Sequence, residues 1–452
     1  TQTKVVQAIV GFFVVTGVSS VFRYWFFRFQ IGDDSILVRE GVINKKQVDI
    51  RFSRIQGINM EQSFVFRWFD LVTISFDTAG SAGSEGELPA VKTAFADALR
   101  ERIGKVSKDA PVTAGSEAAA QSPPLLKLDW RDMIRIGLAD RRAFVFLAVI
   151  APFFEQISEE FGQAIANQIE DVAADVVAMG TAIAATLLGT MIFLVVVMLV
   201  IGSIIAAFLR YHNFSLFLAN GRLRSVGGLF TRHEATMDTG KVQVARVSQG
   251  IVLRWAERVR LVLKQASSKT QKASKSFRIP AAPPGFQQPF LGDVFAPEVE
   301  GLDLNFESTS LERADARFLR PRILYGGLLP ALVSSAFVTF NAGPGGLVFL
   351  LWLPLWSVVQ WRVWRRFAWY VSANALVRRK GFLATHLDVF LLRKAQRVTM
   401  RQSPYQRRKG LATLTFYLAS GTIRIPYIAA DKAEAVRDYV LYKVESSTKP
   451  WH

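Results

Sequence analysis

Two patterns of apolar and polar positions alternate along this chain. Residues 5–22 contain no charged side chain, and a second uncharged stretch covers residues 323–361, interrupted by the Gly- and Pro-rich segment 341–346. About 20 consecutive apolar residues are enough to cross a bilayer as a helix. We therefore expect a span at the start of the chain and a hairpin of two spans at 323–363.

A third apolar region lies between Arg142 and Arg210 and contains no Lys or Arg between these two residues. Basic residues flank spans on the cytoplasmic side, so basic ends and an acidic middle predict a hairpin whose tip is external. Apolar residues at helical spacing through the acidic part predict a helical extension, with the returning span at 179–209. The acidic residues are Glu155, Glu159, Glu160, Glu170, Asp171 and Asp175.

The segments between the uncharged stretches are typical of β-strands. Residues 29–79 alternate apolar and polar positions and contain turn residues between the runs, whereas residues 87–104 have apolar side chains at helical spacing. The unit is thus predicted to be a small antiparallel sheet closed by one C-terminal helix. Residues 126–142 are basic and amphipathic, which predicts a helix lying on the membrane surface.

The strand-rich segments are three copies of one unit. From the Gly to the first Gln there are 15 residues in each copy, from the first Gln to the second 6, and from the second Gln to the Arg 5. Such fixed spacing indicates one domain repeated three times. The landmarks are Gly41, Gln56, Gln62 and Arg67; Gly228, Gln243, Gln249 and Arg254; and Gly381, Gln396, Gln402 and Arg407.

These patterns predict a membrane protein of mixed α and β structure, in which helical hairpins alternate with three antiparallel β-domains. Copy two shows no clear closing helix in its sequence, and a partner span is expected upstream of Thr1. The predicted segments are a span at 1–28, domain one at 29–104, a linker and interfacial helix at 105–142, a hairpin with an acidic external extension at 143–209, domain two at 210–280, a connector at 281–322, a hairpin at 323–363 and domain three at 364–447.

Composition and charge limit the classes of partner that this chain is expected to bind. The chain is 50% hydrophobic and has a net charge of +18, which on a membrane protein favours contact with anionic lipid at the cytoplasmic surface. Nucleic acid is the competing partner of a basic protein, but no nucleic-acid-binding motif is present, so we expect none. There are no cysteines, which excludes disulfides, thiolate metal sites and a cysteine nucleophile.

Catalytic and metal-binding patterns are missing from the sequence. Four histidines occur, but none has the spacing of a metal motif, and the Gly-rich segment 79–87 lacks the Lys of a phosphate-binding loop. We therefore expect no enzymatic activity, no metal and no cofactor. The histidines are His212, His233, His386 and His452.

The repeated segments, together with their hairpins, resemble bacterial pleckstrin-homology-like (PH-like) proteins of the membrane-flanked-domain type with three such domains. The resemblance is carried by "LVREGVI", "RIQGINMEQSFVFRWF" and "TAGS" in copy one and by their counterparts in copies two and three. It implies a seven-stranded curved sheet with a C-terminal helix in each domain, and no catalysis. It also implies a shorter membrane protein with one PH-like domain as a partner, and a role in cell-envelope stress or tolerance of antimicrobial peptides.

The landmarks have competing interpretations. The repeated Gly is predicted to form a turn with positive φ. Each repeated Gln either contacts a ligand or partner, or bonds the backbone at a sheet edge or bulge. Arg67, Arg254 and Arg407 either bind lipid phosphate bidentately or serve as interfacial anchors or salt bridges within the fold.

Two functions follow from these observations. The first is a non-enzymatic scaffold at the inner membrane surface that contacts anionic lipid and other subunits; a homo-oligomer is compatible with it. The alternative is a conduit or transporter component for lipid or peptide. The spans contain no buried charge, which argues against ion or proton coupling but not against an apolar groove for lipid.

Overall fold

The computed structural model describes residues 25–41, 46–52, 55–78, 84–106, 123–139, 181–219, 221–265, 276–295, 298–299, 302–306 and 311–447. The predicted first span and the acidic helical extension lie outside these residues, as does most of the linker after domain one. The twenty strands are β1 Arg28–Ile31, β2 Ser35–Glu40, β3 Lys46–Arg51, β4 Ile55–Gln62, β5 Leu71–Thr78, β6 Ser84–Lys92, β7 Leu126–Lys127, β8 Ser215–Ala219, β9 Arg222–Gly227, β10 Arg232–Asp238, β11 Val242–Gln249, β12 Val259–Gln265, β13 Ser276–Ala282, β14 Glu312–Arg313, β15 Ala368–Val371, β16 Ala375–Gly381, β17 Thr385–Leu391, β18 Arg397–Arg401, β19 Leu411–Leu418 and β20 Gly421–Ala429.

Helices close the domains, join strands and form the membrane segments. The α-helices are α1 Phe64–Trp68, α2 Thr93–Val106, α3 Trp130–Ala139, α4 Thr181–Tyr211, α5 Ile251–Trp255, α6 Gln287–Phe295, α7 Leu319–Ile323, α8 Leu329–Ala342, α9 Trp352–Arg366, α10 Pro404–Arg408 and α11 Ala430–Glu445. Short 3-10 segments occupy Thr239–Lys241, Ala316–Phe318, Pro344–Leu351 and Leu392–Lys394, and a π-turn occupies Leu324–Leu328.

Each domain is a pair of small antiparallel sheets packed face to face and covered by its closing helix. The core of domain one lies between Ile36 and Ile50 on one sheet and Ile74 and Phe76 on the other, with Leu99 of α2 covering it. Domain three repeats this arrangement around Trp369 and Phe416. Alternating burial along the strands accounts for the period-2 pattern of the sequence.

The sheets are shared between successive domains, and this corrects the expectation of one seven-stranded sheet per domain. The order β6-β5-β4-β10-β9-β8-β7 joins the second half of domain one to the first half of domain two. The order β13-β12-β11-β17-β16-β15-β14 joins domains two and three in the same way. Two three-stranded sheets, β1-β2-β3 and β18-β19-β20, remain at the ends of the array, and none of these sheets closes into a barrel.

The two junctions between domains use the same register. At the first junction Glu61 pairs with His233, and at the second Ser248 pairs with His386. Ser248 is the counterpart of Glu61 in the repeat, and His386 is the counterpart of His233. The fixed register means that each domain presents one strand edge to its predecessor and another to its successor.

Among the described residues, three helical segments are long and apolar enough to cross a membrane: Phe193–Tyr211, Ala316–Asn341 and Pro344–Arg366. The last two form the predicted hairpin, which turns at Gly343 with φ +83°. At the π-turn of the first arm, the indole N–H groups of Trp352 and Trp356 donate to Gly326 O and Arg322 O, both at 3.0 Å. These bonds satisfy carbonyls of the irregular helical segment.

The closing helices of domains one and two differ from the sequence-based expectations. Residues 87–92 belong to β6, so the closing helix of domain one begins at Thr93. Domain two does have a closing helix, α6, whose Phe290 and Leu291 are buried in the core. Four residues separate it from β13, and it lies within the predicted connector, beyond the bounds predicted for domain two.

The helix predicted to lie on the membrane surface packs instead against a span. Ser203 Oγ of α4 donates to Gly137 O of α3 at 2.8 Å, and a Cβ at Gly137 would lie 2.6 Å from Ile204 Cα. The apolar face of α3, with Met133 and Ile136, is buried. An amphipathic pattern cannot distinguish a lipid surface from a neighbouring helix.

Candidate functional site

The repeated arginines lie at one position in three short helices. Arg67, Arg254 and Arg407 are each the fourth residue of α1, α5 and α10, which follow the second repeated Gln. Ser63 caps α1 by accepting from Phe66 N, and Ser403 forms a capping box with Gln406. These caps stabilise a five-residue helix that would be marginal by itself.

In the first two copies this arginine contacts the next domain. Arg67 Nη2 donates to Leu229 O at 3.3 Å, and Arg254 Nη2 donates to Thr385 Oγ1 at 3.1 Å. Leu229 follows the repeated Gly228, and Thr385 ends the turn that begins at Gly381. The structure therefore places both arginines at domain junctions. Arg407 is exposed and forms no hydrogen bond through its guanidinium with the residues that the structure describes.

The repeated glycines and glutamines take structural positions. Gly41, Gly228 and Gly381 have φ of +103°, +116° and +154°. A Cβ on Gly228 or Gly381 would lie about 2 Å from the carbonyl oxygen three residues later, so a side chain does not fit the turn. The second repeated Gln donates to the backbone oxygen nine residues later in every copy, over 3.1 Å from Gln62 to Leu71, 3.5 Å from Gln249 to Arg258 and 3.0 Å from Gln402 to Leu411.

The first repeated Gln lies within a strand in copy two and directly before a strand in copy three. Gln243 is buried in β11, and the backbone N–H of Gln396 donates to Tyr417 O at 2.8 Å. The side chain of Gln56 is not among those that the structure describes.

Each junction turn is bonded to the end of a membrane-spanning helix. Leu229 N donates to Leu209 O at 2.8 Å, next to the end of α4. Arg366, the last residue of α9, donates from Nη1 to Phe382 O at 2.6 Å and to Leu383 O at 3.0 Å. Both junctions are thus fixed directly below a span.

Exposed aromatic and aliphatic side chains surround these junction turns. Trp68 is 75% exposed and Trp255, its counterpart in copy two, is 83% exposed. Phe64 packs edge-on against Phe230 of the first junction turn at 5.7 Å between ring centroids. Aromatic side chains in this position are typical of the interface between bilayer and water. The counterpart of the two tryptophans in copy three is Arg408.

A cationic cluster lies within the second junction. The fully buried carboxylate of Asp388 forms ion pairs with Arg246 from the preceding domain and with Arg378, and Lys380 Nζ lies 3.7 Å away. Burial alone would raise the pKa of Asp388, but the two guanidiniums outweigh it and lower the pKa to about 2. With Lys264 also nearby, the cluster keeps an excess of positive charge.

The lysines of this cluster titrate below their ordinary range. Burial, followed by the repulsion of Arg378, lowers the pKa of Lys380, and Asp388 offsets only part of this effect. Burial and then Arg246 lower the pKa of Lys264 in the same way. An anion bound close to these ammonium groups would be stabilised by this local excess of positive charge.

Lys380 also lines a cleft of about 910 Å³ between the base of the hairpin and domain three. We call this the basic cleft. Arg322 and Arg424 supply further positive charge, and Trp356 and Tyr325 line it on the side of the spans. Gly381 and His386 of the second junction contribute to the same wall, so the cleft adjoins both the spans and the strand junction.

The described residues contain no group of three or more His, Asp or Glu side chains arranged to hold a metal ion. His233 Nδ1 lies 3.8 Å from Glu61 Oε1, and His386 Nδ1 lies 2.9 Å from Ser248 Oγ. Both imidazoles therefore contact the side chain opposite them across a domain junction.

Comparison with known proteins agrees with this architecture. A family model described as the bacterial PH domain matches residues 3–107, 174–284 and 327–444. These matches cover most of the chain, which therefore belongs to the bacterial PH domain family, as the resemblance predicted. Among its relatives is the UPF0699 transmembrane protein YdbT of Bacillus subtilis (strain 168), which is 20% identical over 441 residues, or 94% of this chain and 86% of the relative. The chain is accordingly a membrane protein with three bacterial PH domains.

The sequence identified the repeated arginines but not their partners, and it missed the basic cleft. One signal was available: His233 and His386 occupy the same position in two copies, whereas copy one has Lys46 there. A histidine recurring at an edge strand could have marked the junction. The cleft could not be found in this way because its residues come from two spans and two sheets.

Proposed function

We propose that this protein is a non-enzymatic scaffold whose three PH domains form one strand-paired array on the cytoplasmic surface of the membrane. The basic ends of the spans, at Arg210, Arg320 and Arg366, all adjoin the domains, which is the arrangement that cytoplasmic domains require. The array presents its exposed tryptophans beside the span ends. Trp68 and Trp255 would lie in the lipid interface and hold the array close to the bilayer.

We further propose that the basic cleft binds the phosphate of an anionic lipid headgroup. The observation that carries this proposal is the position of Lys380, Arg322 and Arg424 around one cleft at the base of a membrane hairpin. A phosphate in the cleft would contact cations on one side, and the acyl chains could leave along the spans beside Trp356. Arginine and lysine at the membrane surface attract anionic lipids by about 1 kcal/mol per residue.

The physiological setting that the resemblance implies, cell-envelope stress or tolerance of antimicrobial peptides, fits such a scaffold. Membrane-active cationic peptides compete for anionic lipid, so a protein that binds those headgroups would respond to the same change. The shorter single-PH-domain membrane protein that the resemblance implies would be a further subunit of the scaffold.

The test of the lipid site uses the full chain in nanodiscs. Energy transfer from tryptophan to dansyl-labelled phosphatidylglycerol, compared with dansyl-labelled phosphatidylcholine, measures headgroup preference around all ten tryptophans, and the part of the signal that Trp356→Phe removes reports the basic cleft. In that part of the signal, the double variant K380M/R424M should lose most of the preference for phosphatidylglycerol. Arg437→Met, an exposed change on α11, is the matched control and should keep it. A double variant with unchanged preference would disprove the lipid site.

A further inference from the structure

The array of paired sheets ends in an open strand edge in domain three. β18 is the terminal strand of the sheet β18-β19-β20, with β19 as its neighbour in the part of the chain that the structure describes. Its counterparts β4 and β11 each pair along this edge with the following domain, through β10 and β17. The repeat therefore provides two internal examples of what this edge can bind.

Burial along β18 agrees with a missing neighbour. Ile58 of β4 and Ala245 of β11 are buried at the two junctions. Their counterpart in β18, Val398, is only half buried. Arg407 likewise has no acceptor in the described structure, although the same residue in each earlier copy binds the turn of the next domain.

A second copy of this chain is a poor occupant of the edge. In the shared register, Arg401 takes the place of Glu61 and Ser248, and the residue opposite it would be the counterpart of His233 and His386. In another copy of domain one that residue is Lys46. Like charges directly opposite each other destabilise an antiparallel pair, and basic side chains at an edge strand prevent self-association.

We propose that the β18 edge binds a β-strand of a different protein chain that has an acidic residue opposite Arg401. The strand pairs antiparallel to β18 in the register of the two internal junctions, and Arg407 donates to its adjoining turn. Arg408, which replaces the exposed tryptophans of the other two copies, extends the same basic surface. This inference rests on the scaffold proposal, since it names the surface through which the array takes up a further subunit.

The test uses synthetic peptides as probes of the full chain in detergent. One peptide has the sequence of residues 382–392 with glutamate in place of His386, and a matched peptide has lysine at that position. Fluorescence anisotropy should show about tenfold tighter binding of the glutamate peptide, which corresponds to removing one repulsive pair and adding one attractive pair. The variant Arg401→Glu should invert this preference. Arg437→Glu, a change on the exposed side of α11, should leave it unchanged.

Three results would overturn the proposal. They are equal binding of the two peptides, no binding of either, and a preference that Arg401→Glu does not alter. A disulfide between chains carrying Thr399→Cys and chains carrying Val48→Cys would show instead that a second copy occupies the edge. None of these outcomes affects the dansyl-lipid measurement, so failure of the strand site and failure of the lipid site can be distinguished.

Discussion

His386 of domain three lies opposite Ser248 of domain two, with 2.9 Å between Nδ1 and Oγ, and the two residues belong to strands that join the sheets of separate domains. His233 has the same relationship to Glu61 one domain earlier. The recurrence of this contact in one register indicates that strand pairing between domains is a built-in part of the repeat. The three domains therefore form one strand-paired array and are not separate units attached to a membrane anchor.

Asp388 should be the most sensitive single residue of the second junction. Asp388→Asn removes the charge that balances Arg246 and Arg378, and leaving buried cations unpaired typically costs about 3–5 kcal/mol. We expect a clear fall in the thermal unfolding midpoint of the detergent-solubilised protein, with faster hydrogen exchange in β11 and β17.

The exposed Asp438 provides the matched control, since it pairs with Arg437 on the surface of α11. Asp438→Asn should change the midpoint little, because surface ion pairs contribute at most about 1 kcal/mol. Equal midpoints for the Asp388 and Asp438 variants would contradict the assigned role of the buried cluster.

Lys394 should make stability depend on pH in the alkaline range. Its ammonium is buried and donates to Gly240 O and Val242 O, and burial, followed by repulsion from Arg393, lowers its pKa to about 8. The unfolded chain, with a pKa of 10.5, holds the proton to higher pH, so unfolding takes up a proton between about pH 8 and 10.5. This residue's contribution to stability therefore rises with pH across that window.

Lys394→Met removes this titration. Urea unfolding of both proteins between pH 7.5 and 10 should show the wild type gaining stability relative to the variant as pH rises. A constant difference between the two proteins over the whole range would show that the folded and unfolded states titrate alike at this position.

Gly381→Ala tests the junction turn. The left-handed backbone and the close approach of Ala384 O leave no room for a Cβ, so we expect a loss of about 2 kcal/mol. Gly250 has φ −78° and open space around its Cα, which makes Gly250→Ala a suitable control. Guanidinium denaturation of the two variants should separate them, and similar midpoints would remove the argument for a required glycine.

The pattern of apolar and polar residues was sufficient to predict the spans near 181–211 and 316–366, the strands and the threefold repeat. The periodicity of apolar residues shows which face of a strand is buried, and the length of the Leu- and Val-rich stretches shows that they can cross a bilayer. Periodicity does not report which strand pairs with which. β4 and β11 have the same alternation whether they pair within a domain or with the next one, so the shared sheets were not predictable.

The predicted lipid contacts of Arg67 and Arg254 illustrate the same limit for the site. Their position beside aromatic residues favoured either a lipid contact or an anchor within the fold, and the sequence could not decide between the two. Their hydrogen-bond partners, Leu229 and Thr385, lie 162 and 131 residues away in the chain. Only the fold brings such distant residues together, and it is also what assembles Arg322, Lys380 and Arg424 into one cleft.

The most direct test of the array is disulfide formation across the second junction in native membranes. The chain has no cysteine of its own, so the pair Ser248→Cys and His386→Cys can be introduced without a background. Directly opposed residues of antiparallel strands have the separation that a disulfide needs. In the control pair, Ser248→Cys with Ala384→Cys, the second cysteine is displaced by two residues into the turn before β17. Mass spectrometry should find rapid, nearly complete cross-linking of the first pair and little of the second, whereas no cross-link in the first pair, or equal yields in both, would contradict the strand-paired array.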